Sequence, residues 1–348
     1  MIAEITSKLS SKHDLSYDEM SYIMDEILEG RSSVQETANF LKNLTEKEET
    51  DNELLAMLDK MQAHAVHIQP KRQGKFIDVC GTGGDKMSTF NISTTAAFVI
   101  AAGGGNVAKH GNRSVSGING SADIFEYFGY DLNMEPNRVK EIIEKFGIGF
   151  MFAQKFHPAM KNVAEARKLL GMKTAFNLLG PLSNPAAVKN QLVGVFSPQY
   201  LQRVILLLRS RGSENVMTVI SDDGLDELST TSKNHICHLS NGKIFTYVLD
   251  PAELGLTKSN LGEIQVSAKS EAISAFVSVL NGRATKPRIE ITALNAAAGL
   301  IVGGISNKFD EALQISFEVI KSGKSYDLFK NLIRYCGDIE KVEESEKN

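Results

Sequence analysis

Phe76-Ile77-Asp78-Val79-Cys80-Gly81-Thr82-Gly83-Gly84-Asp85 is the stretch that decides the fold. A short apolar, strand-like run leads directly into glycines, and Asn91-Ile92-Ser93-Thr94-Thr95-Ala96-Ala97 then opens an apolar helix behind a row of hydroxyl residues. Downstream the rhythm repeats. Strands are predicted at Asn106 to Ala108, Ile148 to Ala153, Gln191 to Phe196 and Val216 to Ile220, with helices such as Arg138 to Phe146 and Leu201 to Arg211 between them. Alternation of this kind predicts an α/β subdomain whose mostly parallel central sheet is covered by helices, spanning 71–348. After Asp226 a hairpin follows, His235 to Leu239 and Lys243 to Val248 about the Ser240-Asn241-Gly242 turn, then a helical block through Leu294-Asn295-Ala296-Ala297-Ala298 to Ile333. The charged tail from Glu340 to Asn348 is expected to fray.

Upstream of the glycines, residues 1–70 read as a small helical subdomain. Ser16 with Glu19, Ser33 with Glu36 and Thr50 with Glu53 each have the spacing of a capping box ahead of an apolar stripe. A chain of 348 residues exceeds the size at which one core keeps growing, so two packed subdomains are expected.

The glycine loop has the makings of an anion site. Glycines allow positive φ and close approach of a bulky diphosphate, and a helix start adds amides and a favourable dipole. Asn91, Ser93 and Thr94 add side-chain donors, and Asp85 suits ribose hydroxyls or metal-bound water. The bland alternative is a tight turn with an ordinary helix cap. Neither the nicotinamide pattern Gly-x-Gly-x-x-Gly nor a loop ending Gly-Lys-Ser/Thr is present here. A second cluster, Lys109-His110-Gly111-Asn112-Arg113-Ser114-Val115-Ser116-Gly117, follows a helix and a strand later, with Gly120-Ser121-Ala122-Asp123 behind it. Ligands of open α/β sheets sit beyond the carboxyl ends of the strands, so Lys109, Asn112 and Arg113 are expected to meet the same phosphates. Adjacent Asp226-Glu227 suit magnesium bridging a diphosphate, where the bland alternative is a pair of solvated turn acids.

Composition narrows the partners. A formal charge of -4 opposes nucleic acid, which requires a basic surface. Cys80, Cys237 and Cys336 are too few and too far apart for a disulfide framework or a Cys-x-x-Cys motif, which points to a reducing compartment. The N-terminal residues lack a signal-peptide pattern and no apolar run reaches membrane-spanning length, so a cytoplasmic protein without membrane contact is predicted. His64 with His67, and His235 with Cys237 and His238, complete no metal pattern and read as structural.

Gly-Thr-Gly-Gly-Asp at 81–85, Lys-His-Gly-Asn-Arg at 109–113, His157-Pro158-Ala159-Met160, Phe176-Asn177-Leu178-Leu179-Gly180-Pro181-Leu182-Ser183-Asn184-Pro185 and Gly224-Leu225-Asp226-Glu227 resemble the anthranilate phosphoribosyltransferase family in order and spacing over nearly the full length. The chain departs from the family at Lys47-Glu48-Glu49, where Lys-Gly-Glu is common, and at Glu271-Ala272, where Asn-Ala is common.

The resemblance implies transfer of a phosphoribosyl group from phosphoribosyl diphosphate to anthranilate in tryptophan biosynthesis, with two magnesium ions per subunit. It also implies a homodimer built through the helical subdomain, which helices around 158–186 join. Gly81, Thr82, Gly83, Gly84, Asp85, Thr89, Asn91, Ser93, Thr94, Lys109, Asn112 and Ser121 would bind the donor. Gly81, His110, Asn112, Arg167 and Gly180 would bind anthranilate, and Ser93, Asp226 and Glu227 the metal, with no covalent nucleophile. The nearest enzymatic alternative is a pyrimidine nucleoside phosphorylase, whose pattern continues Lys-His-Ser-Thr-Gly-Gly. From another class comes a non-catalytic nucleic-acid-binding relative of the same fold.

Overall fold

Three helix starts near the N-terminus are closed in the way their sequences ask. The computed structural model describes residues 2–83, 87–114 and 118–345. Its first helices are α1 (Ile2–Ser10), α2 (Tyr17–Leu28), α3 (Val34–Lys47) and α4 (Asp51–Ala63). Ser16, Ser33 and Thr50 each accept the amide of Glu19, Glu36 or Glu53, and each glutamate returns the bond to the cap's own amide. Both orphan donors are thus satisfied reciprocally.

The departure at Glu48 has a structural consequence. Glu48 ends α3 at φ 71 and ψ 127, a backbone conformation that favours glycine, the residue common at this point of the family. Its neighbours hold it there: Lys47 is clamped between Asp14 at 2.7 Å and Glu53 at 2.9 Å, and the buried Glu53 also accepts the amides of Leu15 and Thr50.

The chain then runs β1 (Phe76–Gly81), α5 (Ile92–Ala102), β2 (Asn106–Gly111), α6 (Ser121–Tyr127), α7 (Pro136–Phe146) and β3 (Ile148–Phe152). Next come α8 (Ala153–Phe156), α9 (Lys161–Leu170) and α10 (Ala175–Leu179). The chain returns to strands with β4 (Asn190–Gly194), α11 (Tyr200–Ser210), β5 (Asn215–Ser221), β6 (Asn234–Ser240) and β7 (Lys243–Leu249). It closes with α12 (Leu261–Ile264), α13 (Lys269–Leu280), α14 (Lys286–Val302), α15 (Phe309–Lys321), α16 (Lys324–Cys336) and α17 (Ile339–Ser345). Two compact units result. The helical one holds the residues up to His67 together with Ala153–Ala187; the α/β one holds Ile68–Phe152 and the chain from Val188 onward.

The seven-stranded sheet of the described residues has the order β3-β2-β1-β4-β5-β6-β7. Strands β1 to β5 are parallel, and β6 and β7 add an antiparallel hairpin at one edge. Because the chain builds outward from β1 to β3 and then resumes on the other side with β4, the order reverses between β1 and β4, and that is where a crevice opens. At the opposite end, Asn106, Asn190 and Asn215 start three strands and donate to the carbonyls of Gln73, Phe76 and Ile301, fixing the strand ends.

Strand ends differ slightly from the sequence reading. β3 stops at Phe152 because Ala153 begins α8, and β4 runs from Asn190 to Gly194. The expected fraying of the tail is wrong for its described part: Ile339–Ser345 is helix α17, and Val342 is fully buried in the α/β core. One well-placed apolar residue every turn suffices to dock a charged helix, which composition alone hides. Among the described residues no helix is long and apolar enough to cross a membrane.

Candidate active site

Gly81 ends β1 and Gly194 ends β4, and the two stand opposite each other in register at the reversal point of the sheet. Asp226, in the loop after β5, packs over both. A Cβ on Gly81 would lie 2.5 Å from Asp226 Oδ2, and one on Gly194 would run into the Asp226 carbonyl. Neither glycine has positive φ, so what they supply is room. In that seat the largely buried Asp226 accepts the Gly83 amide at 2.6 Å, which ties the acid to the glycine loop. Gly83 itself turns at φ +70, where a side chain is strained.

The loop amides are more occupied than the sequence suggested. Thr82 donates its amide to the Gly194 carbonyl at 2.9 Å, and its hydroxyl accepts the Phe196 amide at 3.0 Å. Thr82 and Gly83 therefore shape the loop. Gly84 and Asp85, and Val115, Ser116 and Gly117 of the second cluster, lie outside the described residues. The open amides belong to the helix behind. Asn91 precedes α5 without a side-chain cap, and no acidic residue stands in the first turn; the Ile92 amide donates to the Phe90 carbonyl at 2.7 Å, which leaves the amides of Ser93 and Thr94 as those the helix cannot satisfy internally, a place suited to an anion. Thr94 donates to Ser121 Oγ at 2.9 Å, joining this helix start to that of α6, and Thr89 bridges to Gln265.

Lys109 is buried beneath the loop and donates to the Val79 carbonyl at 2.6 Å and to Ser93 Oγ at 3.4 Å. Burial pulls the ammonium below its ordinary pKa, and the negative charges of Asp78 and Glu227 pull it back up. Asp78, fully buried in β1, accepts the amide of His110, itself buried on β2. The Cys80 thiol is pushed well up, first by burial and then by Asp78, Glu227 and Asp226, so it is no nucleophile. Asn112 is exposed, its Oδ1 accepting the Arg113 amide, and Arg113 forms a two-pronged pair with Glu126 at 2.5 and 2.6 Å. That bond leaves Arg113 engaged within the protein.

Asp226, Glu227 and Ser93 present only oxygen donors, the class that magnesium takes, and Asp226 is held in place before any ion arrives. The residues fit the metal. A different trio, Asp25, Glu29 and His64, brings ligand atoms within 4.8 Å of one another, but Lys60 and Arg31 already supply positive charge to its two acids. His64 is thus engaged within the protein by Asp25, as are His67 by the Gln62 carbonyl, His235 by Asp222 and His238 by Asn215.

In the helical unit, Arg167 lies half-buried on α9. It donates to Asn177 Oδ1 at 3.3 Å, sits 5.8 Å from the Phe176 ring centre, and pairs with no carboxylate among the described residues. Burial lowers its pKa, so the charge stands in a poorly hydrated place that favours an anionic partner. Gly180 anchors a tight turn by accepting Ser183 Oγ at 2.8 Å, and nothing stands within 4 Å of where its Cβ would be.

Sequence reasoning missed Gly194 and Asp78. A glycine inside an apolar strand, Leu192-Val193-Gly194-Val195, signals close approach of another backbone, and an acid in the middle of a central strand signals a buried partner.

A helical bundle and an α/β unit with an acid-lined glycine loop define a glycosyl-group transferase. Residues 73–326 match the model of the Glycosyl transferase family, a/b domain, and residues 3–65 that of the Glycosyl transferase family, helical bundle domain. Anthranilate phosphoribosyltransferase of Nitrosopumilus maritimus (strain SCM1) is 59% identical over 344 residues, 99% of each chain. The crystal structure of anthranilate phosphoribosyltransferase from Thermus thermophilus superposes with a TM-score of 0.89 at 36% identity, covering 95% of this chain and 99% of that one. The Saccharomyces cerevisiae enzyme in complex with PRPP and Mg shares the fold, with a TM-score of 0.86 at 24% identity over 99% and 98% of the two chains. The chain belongs to the anthranilate phosphoribosyltransferase family. This disfavours the pyrimidine nucleoside phosphorylase and the non-catalytic nucleic-acid-binding relative as alternatives.

Proposed function

We propose that this enzyme transfers the phosphoribosyl group of phosphoribosyl diphosphate to the amine of anthranilate, a step of tryptophan biosynthesis. The observation that carries the reading is the seat of Asp226 over Gly81 and Gly194, which joins a metal-binding acid to the glycine loop at the reversal point of the sheet. The uncapped start of α5 takes the diphosphate, with Asn91, Ser93, Thr94 and Ser121 around it, while Thr82, Gly83 and Lys109 hold the loop and Ser93 in place. Asp226, Glu227 and Ser93 hold magnesium, two ions per subunit. When bound, the metal neutralises charge that grows on the departing diphosphate.

The reaction breaks the bond between ribose C1 and diphosphate oxygen and forms one between C1 and the anthranilate nitrogen, which then loses a proton. The arylamine is already neutral near pH 7, so orientation matters more than base strength. Arg167 takes the acceptor carboxylate, with Gly180 beside it in the helical unit; the lack of a carboxylate partner for Arg167 among the described residues supports this. We further place the enzyme in the cytoplasm as a homodimer through the helical unit. Tyr17, Tyr22, Val34, Val66, Leu169 and Met172, six of the nine exposed large apolar side chains among the described residues, lie in that unit and support the dimer.

The test mixes protein, magnesium, phosphoribosyl diphosphate and anthranilate, and follows loss of anthranilate with release of diphosphate. Arg167→Ala is expected to raise the KM for anthranilate about tenfold or more, the loss of a charge-assisted hydrogen bond, with little change in the KM for the donor. Phosphorolysis of thymidine or uridine in place of transfer would overturn the assignment.

A further inference from the structure

Asn119 buries both ends of its carboxamide. Neither Nδ2 nor Oδ1 meets a hydrogen-bond partner among the described residues, and Oδ1 of Asn91 is in the same state. The two residues adjoin, for Asn91 Nδ2 donates to the Asn119 carbonyl at 3.2 Å. Three unpaired polar atoms thus gather where the segment before α6 meets the start of α5. Closing amide groups off from water without a partner is expensive, and native proteins do it rarely.

The backbone around Asn119 is fixed on both sides. Ile118 packs against the apolar cluster of Phe90, Ile92 and Leu225 that backs the loops. Gly120 lies so close to the chain at Asn112 and Arg113 that a Cβ there would meet the Asn112 carbonyl oxygen at 2.7 Å. What is left to turn is the side chain. Its two ends ask for an acceptor and a donor side by side, and Asn91 Oδ1 asks for a second donor. A sugar phosphate offers this set, with oxygens that accept next to hydroxyls that donate.

We propose that Asn119 is a further binding residue for the phosphoribosyl donor, its amide donating to a donor oxygen and its carbonyl, beside that of Asn91, accepting from ribose hydroxyls. This rests on the donor assigned above. Asn119→Leu, of similar shape and without polar ends, is expected to raise the KM for phosphoribosyl diphosphate about tenfold, as loss of a hydrogen bond to a charged ligand does, and to leave the KM for anthranilate within about twofold. The unfolding midpoint of the ligand-free variant stays level or rises, because the unpaired amide is gone. Asn119→Ser, which keeps a hydroxyl, recovers part of the donor affinity. An unchanged donor KM overturns the proposal, since a trapped water would then be satisfying the amide. Equal rises in both KM values with a lowered midpoint overturn it as well, in favour of a packing role. Thermal shift with magnesium and phosphoribosyl diphosphate alone separates this inference from the reaction. A wild type shifted by the donor but inactive toward anthranilate defeats the acceptor assignment and leaves Asn119 standing if its leucine variant loses the shift; a variant shifted as much as wild type defeats Asn119 alone.

Discussion

The starts of α2, α3 and α4 in the helical unit differ from the start of α5 in the α/β unit. At α2, α3 and α4 a serine or threonine closes the start and a glutamate three residues on completes the box. At α5 Asn91 makes no capping bond and the first turn holds no acid. The first arrangement settles two amides of each helix start inside the protein and adds stability; the second leaves the Ser93 and Thr94 amides without a partner in the helix. Local sequence rules favour the first kind, so a helix that breaks them at a glycine loop marks where binding has displaced stability.

The sharpest way to break the α5 side of this contrast is to remove the acid seated beside it. Asp226→Asn is expected to lower kcat by about 10²–10³-fold, the scale for losing one preorganised electrostatic partner of the transition state, in steady-state assays at saturating magnesium. Gly194→Ala, which displaces the Asp226 backbone, is expected to follow it, and a fully active Gly194→Ala would show that the seat is dispensable.

On the helical side the largest effect is one of pH. His157, buried against the Ser183 carbonyl at 2.9 Å, has its pKa lowered to about 4, chiefly by burial. The unfolded chain takes up the proton near the ordinary histidine value, so stability is full above about pH 6.5 and falls toward pH 4, by roughly 3 kcal/mol in all. Chemical denaturation across that window, compared with His157→Asn, reads this directly, and parallel profiles for the two proteins would refute it.

Asn91→Asp sharpens the comparison itself. A carboxylate at the start of α5 is the group the other unit accepts in its caps, and here it opposes a diphosphate. The KM for the donor is expected to rise about tenfold while stability gains up to about 1 kcal/mol from the helix dipole, measured by kinetics and urea melts on the same samples. Smallest is Ser33→Ala, expected to cost about 1 kcal/mol of stability and to leave kcat/KM unchanged.

Much of this was legible in the chain. The capping boxes of Ser16, Ser33 and Thr50 are local and were found as expected, since a cap needs only residues three apart. The alternation of strands and helices and the hairpin about Asn241 were equally local signals. Contacts between distant segments were not legible. Gly194 matters because of Asp226, Asp78 because of His110 and Lys109, and Asn119 because of Asn91; nothing in either partner's neighbourhood announces the other. The helix α17 escaped notice for a related reason, since its docking depends on the single buried Val342.

The body of α5 completes the account of its open end. Phe98 meets Phe276 and Phe329 edge-on with ring centres 5.7 and 5.4 Å apart, and Ile100 fills the space left by Gly299 of α14, where a Cβ would collide with it. The helix that presents the amides is thereby clamped into the centre of the core. In the proposed reaction, dipoles mounted on so stiff a support need not rotate when charge develops on the leaving group, whereas water would have to reorganise around it. The reorganisation energy that solvent would spend during the reaction has been settled in advance, by folding.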